Sequence, residues 1–387
     1  MKIALLAYKI TPNAPSGSCV LQVLQHLYNE HEFTVFSTEF DNPAPDLIKY
    51  VHVPIPLREP PLIRYIISLF ITPLVFYGYR VKNREKFDIV QTISSDSFLG
   101  NMIYSHYCNR HYVNISEGNT PSPISLRMLV RRAYYLLNAL LEPIIYKRKR
   151  IKKIVAVSVG HASDLINTFG EVISSKVEVI YNPVDVDRMT RSQDFDGPEF
   201  RGSLGFESND RVMVFVALGH FERKGMPLIL EALSQINSSR LKLLVVGGRP
   251  GLINIYKAKA KELNITQQVN FVGFQSDVRP YLWCSDAFVL PSVFENFSLA
   301  SLEAAAAGLL MIATSVNGVE EFMQDGETGW VIERNVGSLK RAMEKLLDLS
   351  PGELERMGRN AAEAVKAYDL PEFVTKWQEL YQTLEES

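Results

Sequence analysis

Short runs of β-branched and aromatic residues alternate along this chain with longer stretches whose apolar positions recur at helical spacing. In the first half the runs are Ile3–Tyr8, Phe33–Phe36, Ile89–Ile93, Met102–Tyr104, Ile154–Val157 and Val177–Ile180. In the second half they are Val212–Ala217, Leu243–Val246, Val269–Val272, Ala287–Leu290 and Met311–Thr314. Each is apolar on both faces, which suits parallel strands covered by helices, and the alternation implies βαβ units. The pattern predicts an α/β protein of doubly wound sheets. It lapses at Asn182-Pro183-Val184-Asp185, where a polar, acidic stretch, Arg191–Asp210, follows. That lapse divides the chain into Rossmann-like domains over 1–183 and 184–369, facing each other across a cleft of the kind where open α/β sheets bind ligands. The tail, 370–387, reads as a helix with Trp377 and Tyr381 one turn apart, open to packing back on the first domain.

Composition agrees with that frame and narrows it. A chain of 387 residues with 47% hydrophobic and 22% charged positions can build sizeable cores, so disorder is excluded as the general state. The net charge of −2 argues against wholesale nucleic-acid binding. It conceals an asymmetry, +5 over residues 1–186 and −7 over the remainder, so the first half is the one suited to an anionic surface. Cys19, Cys108 and Cys284 are odd in number and far apart, which fits neither a disulfide framework nor a metal site, and points to a reducing compartment. Ile3–Tyr8, broken by Lys9, reads as a buried first strand rather than a signal peptide. The longest apolar run, Tyr65–Tyr79, is 15 residues interrupted by Pro73, too short to span a bilayer. A cytoplasmic protein is expected, peripheral on the inner face of the membrane at most.

The chemistry is concentrated after residue 217. Glu295-Asn-Phe-Ser-Leu-Ala-Ser-Leu-Glu303 follows the run Ala287–Leu290, and Ser298 is placed to cap an Ala-rich helix ending at Gly308. Such a helix start aims the N–H groups of Phe297, Ser298 and Leu299 at an anion, while Glu295 and Glu303 can accept from sugar and ribose hydroxyls. The same residues also allow a solvated helix start with no ligand. Gly219-His-Phe-Glu-Arg223-Lys224-Gly225 follows Val212–Ala217 and sets two cations between glycines, a diphosphate clamp or an ordinary basic turn. Thr314-Ser-Val-Asn-Gly318-Val-Glu-Glu follows a third strand, and Gly318 permits close backbone approach to a ligand. The next cluster, Asp325-Gly-Glu-Thr-Gly329, reads as a hairpin-like turn.

These segments, with Val155-Ala-Val-Ser158 before Asp164-Leu165 and with Val179-Ile-Tyr-Asn182-Pro-Val-Asp185, resemble the retaining glycosyltransferases of family 4, which have the GT-B fold. The motifs come in the family's order and are dense from about residue 150 to 331; Pro183 stands where the family has a glycine. The resemblance implies a nucleotide-diphosphate sugar donor, a UDP-sugar and glucose first. It assigns Arg223 and Lys224 to the diphosphate, Glu295 to the transferred sugar, Glu303 to the ribose and the Phe297–Leu299 amides to the distal phosphate or sugar. Gly17, in Pro15-Ser16-Gly17-Ser18, is implied to lie in a loop closing over the donor, although the family has two adjacent glycines there. His106, in Tyr104-Ser-His-Tyr-Cys108, resembles the histidine that approaches the donor sugar; by itself it is equally a satisfied histidine at a strand end.

No metal or other cofactor is expected. Asp185-Val-Asp187 and Asp194-Phe-Asp196 lie in the acidic stretch, away from the phosphate motifs, and read as surface charge. Arg223, Lys224 and the helix start would compensate the leaving diphosphate instead. The family's implied route is front-face displacement rather than a double displacement. The acceptor, a saccharide or lipid-linked saccharide, is less legible. Ile124–Lys153 carries nine Lys and Arg against one acid, Glu142, and reads either as a basic segment lying on an anionic membrane or as core helices with a solvated basic end. Among rivals, a dehydrogenase lacks its G-x-G-x-x-G after Ile3–Tyr8. A GT-B nucleotide-sugar epimerase remains an alternative. So does a non-catalytic sugar-nucleotide-binding subunit, whose expected mark is loss of Glu295, Arg223 or Lys224.

Overall fold

A computed structural model describes residues 1–56, 60–116 and 126–386. The chain forms two compact units: Met1–Asn182 with Pro371–Ser387, and Pro183–Leu370. In the first, seven strands run β1 (Lys2–Leu6), β2 (Glu32–Ser37), β3 (Lys49–His52), β4 (Ile89–Ile93), β5 (Met102–Ser105), β6 (Lys153–Ala156) and β7 (Val177–Val179). All pair in parallel, in the order β3-β2-β1-β4-β5-β6-β7. In the second, six parallel strands run β8 (Arg211–Ala217), β9 (Leu241–Gly247), β10 (Val269–Gly273), β11 (Ala287–Leu290), β12 (Leu310–Thr314) and β13 (Gly329–Ile332), ordered β10-β9-β8-β11-β12-β13. The central strands are buried on both faces: Ile3, Ala4, Leu5, Leu6 and Met213, Val214, Phe215 are wholly inaccessible. Parallel sheets need such cover because their crossover helices occupy both faces.

Two strands escape the sequence pattern, and both are edges. β3 leaves Lys49, Tyr50 and His52 exposed, so water on one side breaks its apolar run. β13 enters from the turn expected at Asp325–Gly329, where Gly326 N–H donates to the Gly329 carbonyl at 2.7 Å, and runs parallel to β12. Gly329 is required, since a Cβ would stand 1.8 Å from the Met311 carbonyl oxygen.

The apolar run expected over Tyr65–Tyr79 is a helix of 23 residues, Pro61–Asn83, with Pro73 inside it. It is the one helix among the described residues long and apolar enough to cross a membrane. Its inner face nevertheless packs on the first sheet, where Phe76 joins Ala4, Leu6, Phe36 and Val53. The C-terminal helix Leu370–Glu386 returns to the same unit. Trp377 meets Tyr104 edge-on at 4.8 Å and Tyr381 donates to Gln91 Oε1 at 2.7 Å. Within the second unit, the segments that enter and leave it are paired, Val184 N–H to the Tyr368 carbonyl at 2.9 Å and Leu370 N–H to the Val184 carbonyl at 3.0 Å.

Candidate active site

In the second unit, the turns after β8 and β11 are built against each other. After β8 the chain passes His220, at φ +57°, and reaches Gly225, at φ +85°, which caps helix Met226–Ser234. A Cβ at Gly225 would lie 2.3 Å from the Pro291 carbonyl oxygen, so only glycine lets the two turns approach this closely. Val293 N–H then donates to the Arg223 carbonyl at 2.9 Å, and the Arg223 guanidinium donates to the Phe294 carbonyl at 3.0 Å. The Lys224 ammonium pairs with Glu295 Oε1 at 2.8 Å, and the Ser292 hydroxyl reaches the same oxygen at 3.0 Å. Glu295 is 8% exposed. Burial pushes its carboxyl up, but the charges of Lys224 and Arg223 outweigh that and hold it below the ordinary glutamate value. Glu295 is therefore an ionised acceptor joined to a cation rather than a solvated helix-end charge.

Ser298 caps helix Leu299–Ala306 as expected, accepting from Ser301 N–H. Phe297 precedes the cap, and its ring is buried edge-on against Tyr368 at 5.2 Å. The first helical N–H groups belong to Leu299 and Ala300, which have no carbonyl four residues back within the helix. Gly318, at φ +82°, lies under the Phe297 ring: a Cβ there would fall 1.9 Å from Phe297 Cδ2. Its visible task is packing against this loop.

Glu303, one turn into the helix, is half-buried. Burial raises its carboxyl to about 7, and only the charge of Arg188 opposes the rise. Arg188 sits on the short helix Val186–Met189, whose cap is Asp185: its carboxylate accepts from Arg188 N–H at 2.9 Å. Asp196 caps Gly197–Ser203 in the same way, accepting from Glu199 N–H at 2.9 Å. Asp187, Asp194 and Asp196 are exposed, as surface charge should be, and Asp185 and Asp196 are in addition helix caps. Among the described residues no group of three or more His, Cys, Asp or Glu is placed to hold a metal ion.

The first unit departs further from expectation. Gly17 is not in a loop; it lies in the first turn of helix Pro15–Leu27. The glycine is required because a Cβ would stand 2.7 Å from the Thr11 carbonyl oxygen. His106 follows β5, its N–H donating to Ser94 Oγ at 3.1 Å and its ring 4.1 Å from that of Tyr104. Burial, with the nearby His161, lowers its imidazole to about 3, so His106 is neutral at any ordinary pH. Glu142, the lone acid of the basic stretch, is wholly buried. It accepts from Asn109 N–H at 2.7 Å, Asn109 Nδ2 at 2.6 Å and Arg110 N–H at 2.8 Å, capping helix Asn109–Ser116. The start of that basic stretch, Ile124 and Ser125, lies outside the described residues. Asp96, which the sequence reading passed over in Ser94-Ser-Asp-Ser97, accepts from Tyr8 N–H at 2.8 Å, and burial raises it to about 7. A polar cluster directly after a buried strand was the available signal. The thiols take no part: all three cysteines are buried, and burial pushes Cys108 to about 12 and Cys284 to about 11.

Comparison with known proteins bears on the family and the fold. The model of glycosyl transferases group 1 matches residues 196–364 and that of Glycosyltransferase Family 4 matches residues 16–188. N-acetyl-alpha-D-glucosaminyl L-malate synthase of Bacillus anthracis is 29% identical over 235 residues, 59% of this chain and 59% of its own length. Among solved structures, WaaG, a glycosyltransferase involved in lipopolysaccharide biosynthesis, superposes with a TM-score of 0.77 at 18% identity, over 98% of this chain and 99% of that one. Anabaena Alr3699/HepE in complex with UDP-glucose superposes with a TM-score of 0.72 at 16% identity, over 99% and 100%. The two family models leave out only residues 1–15, 189–195 and 365–387, and the fold neighbours span the whole chain. The chain belongs to the family 4 glycosyltransferases and has the GT-B fold.

Proposed function

We propose that this protein transfers a sugar, with retention and without a metal ion, from a nucleotide-diphosphate donor bound by the second unit to a saccharide or lipid-linked saccharide. The observation that carries the reading is the ion-paired Lys224–Glu295 contact, with Arg223 beside it, next to the open N–H groups of Leu299 and Ala300. Breaking the sugar–phosphate bond leaves charge on the diphosphate, and two cations with a helix start neutralise it without a divalent ion. Glu295, kept ionised by the same cations, accepts from hydroxyls of the transferred sugar. Glu303, close to neutrality, ionises as it accepts from the ribose. His106 serves as a neutral hydrogen-bonding group rather than an acid. The attack is front-face, the leaving phosphate taking the acceptor's proton. A UDP-sugar, glucose first, is favoured because a whole-chain fold neighbour is named as a UDP-glucose complex.

A thermal-shift panel of UDP, GDP, ADP and their sugars, followed by turnover in EDTA, tests this. A ligand that binds only the folded state raises the melting temperature. UDP compounds are expected to do so, and transfer is expected to survive the chelator. Activity lost in EDTA and restored by magnesium or manganese would refute metal independence.

A further inference from the structure

Helix Pro61–Asn83 is apolar on two opposite faces. Its inner face buries Tyr65, Ser68, Leu69, Thr72 and Phe76. Its outer face carries Phe70, Leu74, Tyr77 and Val81, which are 67%, 72%, 48% and 78% exposed. Their spacing of four, three and four residues puts them on one stripe. A helix that covers a sheet ordinarily turns polar residues outward, and a contiguous apolar stripe marks an interaction surface. Helix Leu126–Tyr146 repeats the feature. Leu136, Leu140 and Ile144, four residues apart, are 39%, 68% and 56% exposed, while Asn138 and Glu142 are buried. The two helices touch, Tyr65 donating to Asn138 Oδ1 at 2.7 Å with its ring 4.9 Å from that of Tyr134.

Charge decides what covers these faces. The first helix contains no Asp or Glu, and the only acid of the second is the buried Glu142. Lys82 and Arg84 lie at the end of the first; Arg132 on the second and Lys147, Lys149 and Lys152 just beyond it are likewise exposed. A second copy of the chain would set these cations against one another, whereas anionic headgroups above an apolar layer match both features. Spanning does not fit, because withdrawing Pro61–Asn83 into a bilayer would strip Phe36, Val53 and Leu6 of their cover.

We propose that the outer faces of these two helices dock the first unit on an anionic lipid bilayer, the apolar stripes entering the headgroup boundary and the lysines and arginines pairing with lipid phosphates. The inference deepens the lipid-linked acceptor reading but is tested without donor or acceptor, so loss of one leaves the other standing. Co-sedimentation of the full chain with phosphatidylglycerol-containing vesicles at low ionic strength should recover it, and pure phosphatidylcholine vesicles or high salt should not. Lys147→Glu with Lys149→Glu should lower the vesicle partition coefficient roughly tenfold or more. Leu74→Glu with Val81→Glu should do the same, with circular dichroism unchanged. Should the apolar variant fail to fold, the lysine variant carries the test, since both lysines are exposed. Equal recovery on neutral and anionic vesicles, or full binding by the lysine variant, overturns the proposal. So does a parental dimer that Leu74→Glu dissociates, which would assign the face to a second copy.

Discussion

At the residue scale, two glutamates eight positions apart on one motif occupy opposite electrostatic environments. Glu295 is buried yet ionised because Lys224 and Arg223 are beside it; Glu303 is near neutrality because only Arg188 opposes its burial. Their variants should therefore fail differently. Glu295→Gln keeps the side-chain size and releases Lys224, so binding of the bare diphosphate should stay at the parental level or tighten, while transfer falls. A lost charge-assisted hydrogen bond of about 1.5–3 kcal/mol corresponds to roughly ten- to a hundredfold in rate if it acts in the transition state. Glu303→Ala should instead weaken the bare diphosphate by a similar factor, and calorimetry beside turnover separates the two. If both variants bind and turn over like the parent, the motif holds no ligand. Glu303 also sets a pH dependence. If the ribose favours its ionised form, nucleotide affinity should rise from pH 6 to pH 8, with up to about one proton released on binding. Stability runs the other way. A carboxyl raised to about 7 keeps a proton that the unfolded chain loses near pH 4.3, so its contribution is present at low pH and is lost as pH rises through that window. Denaturation profiles of Glu303→Gln should show a shallower decline between pH 5 and pH 7; an unchanged slope would mean that Glu303 titrates normally.

At the element scale, the site depends on glycines that no side chain can replace. Gly318 combines φ +82° with contact against Phe297, the residue just before the Ser298 cap. A left-handed alanine costs about 1–2 kcal/mol, and here its methyl must also displace a buried ring. Gly318→Ala should lower stability by more than that strain and weaken nucleotide binding, because the start of Leu299–Ala306 moves with Phe297. Ser298→Ala is the comparison. It removes the cap alone, about 1 kcal/mol, and should leave the loop in place. Denaturant midpoints and nucleotide affinity, measured together, distinguish the two; equal effects would mean that Phe297 does not hold the helix start.

At the scale of the whole molecule, the chain leaves its first unit after Asn182 and returns at Pro371. The returning helix contributes Trp377, fully buried among Tyr104, Phe373 and Tyr381. Trp377→Ala should cost about 3–5 kcal/mol, and the loss should fall on the first unit. Calorimetry is expected to show one transition lowered while the transition stabilised by nucleotide keeps its midpoint. Equal lowering of both would show that the units unfold as one.

What could be read from the sequence was whatever local chemistry dictates. Both sheets announced themselves, because strands buried on both faces must be apolar throughout, and the break near Asn182 was visible as a change of composition. Arg223, Lys224, Glu295, Ser298 and Glu303 were legible because each sits next to a strand end or helix start that the same pattern locates. The edge strand Lys49–His52 was not, since its exposure puts Lys49 and His52 into the run, and Gly329–Ile332 was not, since its Trp-Val-Ile run is short and follows directly on a turn. Gly17 was misplaced because a glycine demanded by the Thr11 backbone looks, in sequence, like one demanded by a ligand. In sequence Glu142 was only the lone acid of a basic stretch, and tertiary contacts placed it under Asn109 and Arg110. The values near 7 at Asp96, Glu142 and Glu303 likewise belong to the tertiary structure. A carboxyl's proton affinity is set by the dielectric and charges around it, and residues distant in the chain supply both. Residue type and spacing thus specify which groups are present and on which elements. Only the packed structure specifies which of them are paired, which are buried, and which apolar faces remain turned toward solvent.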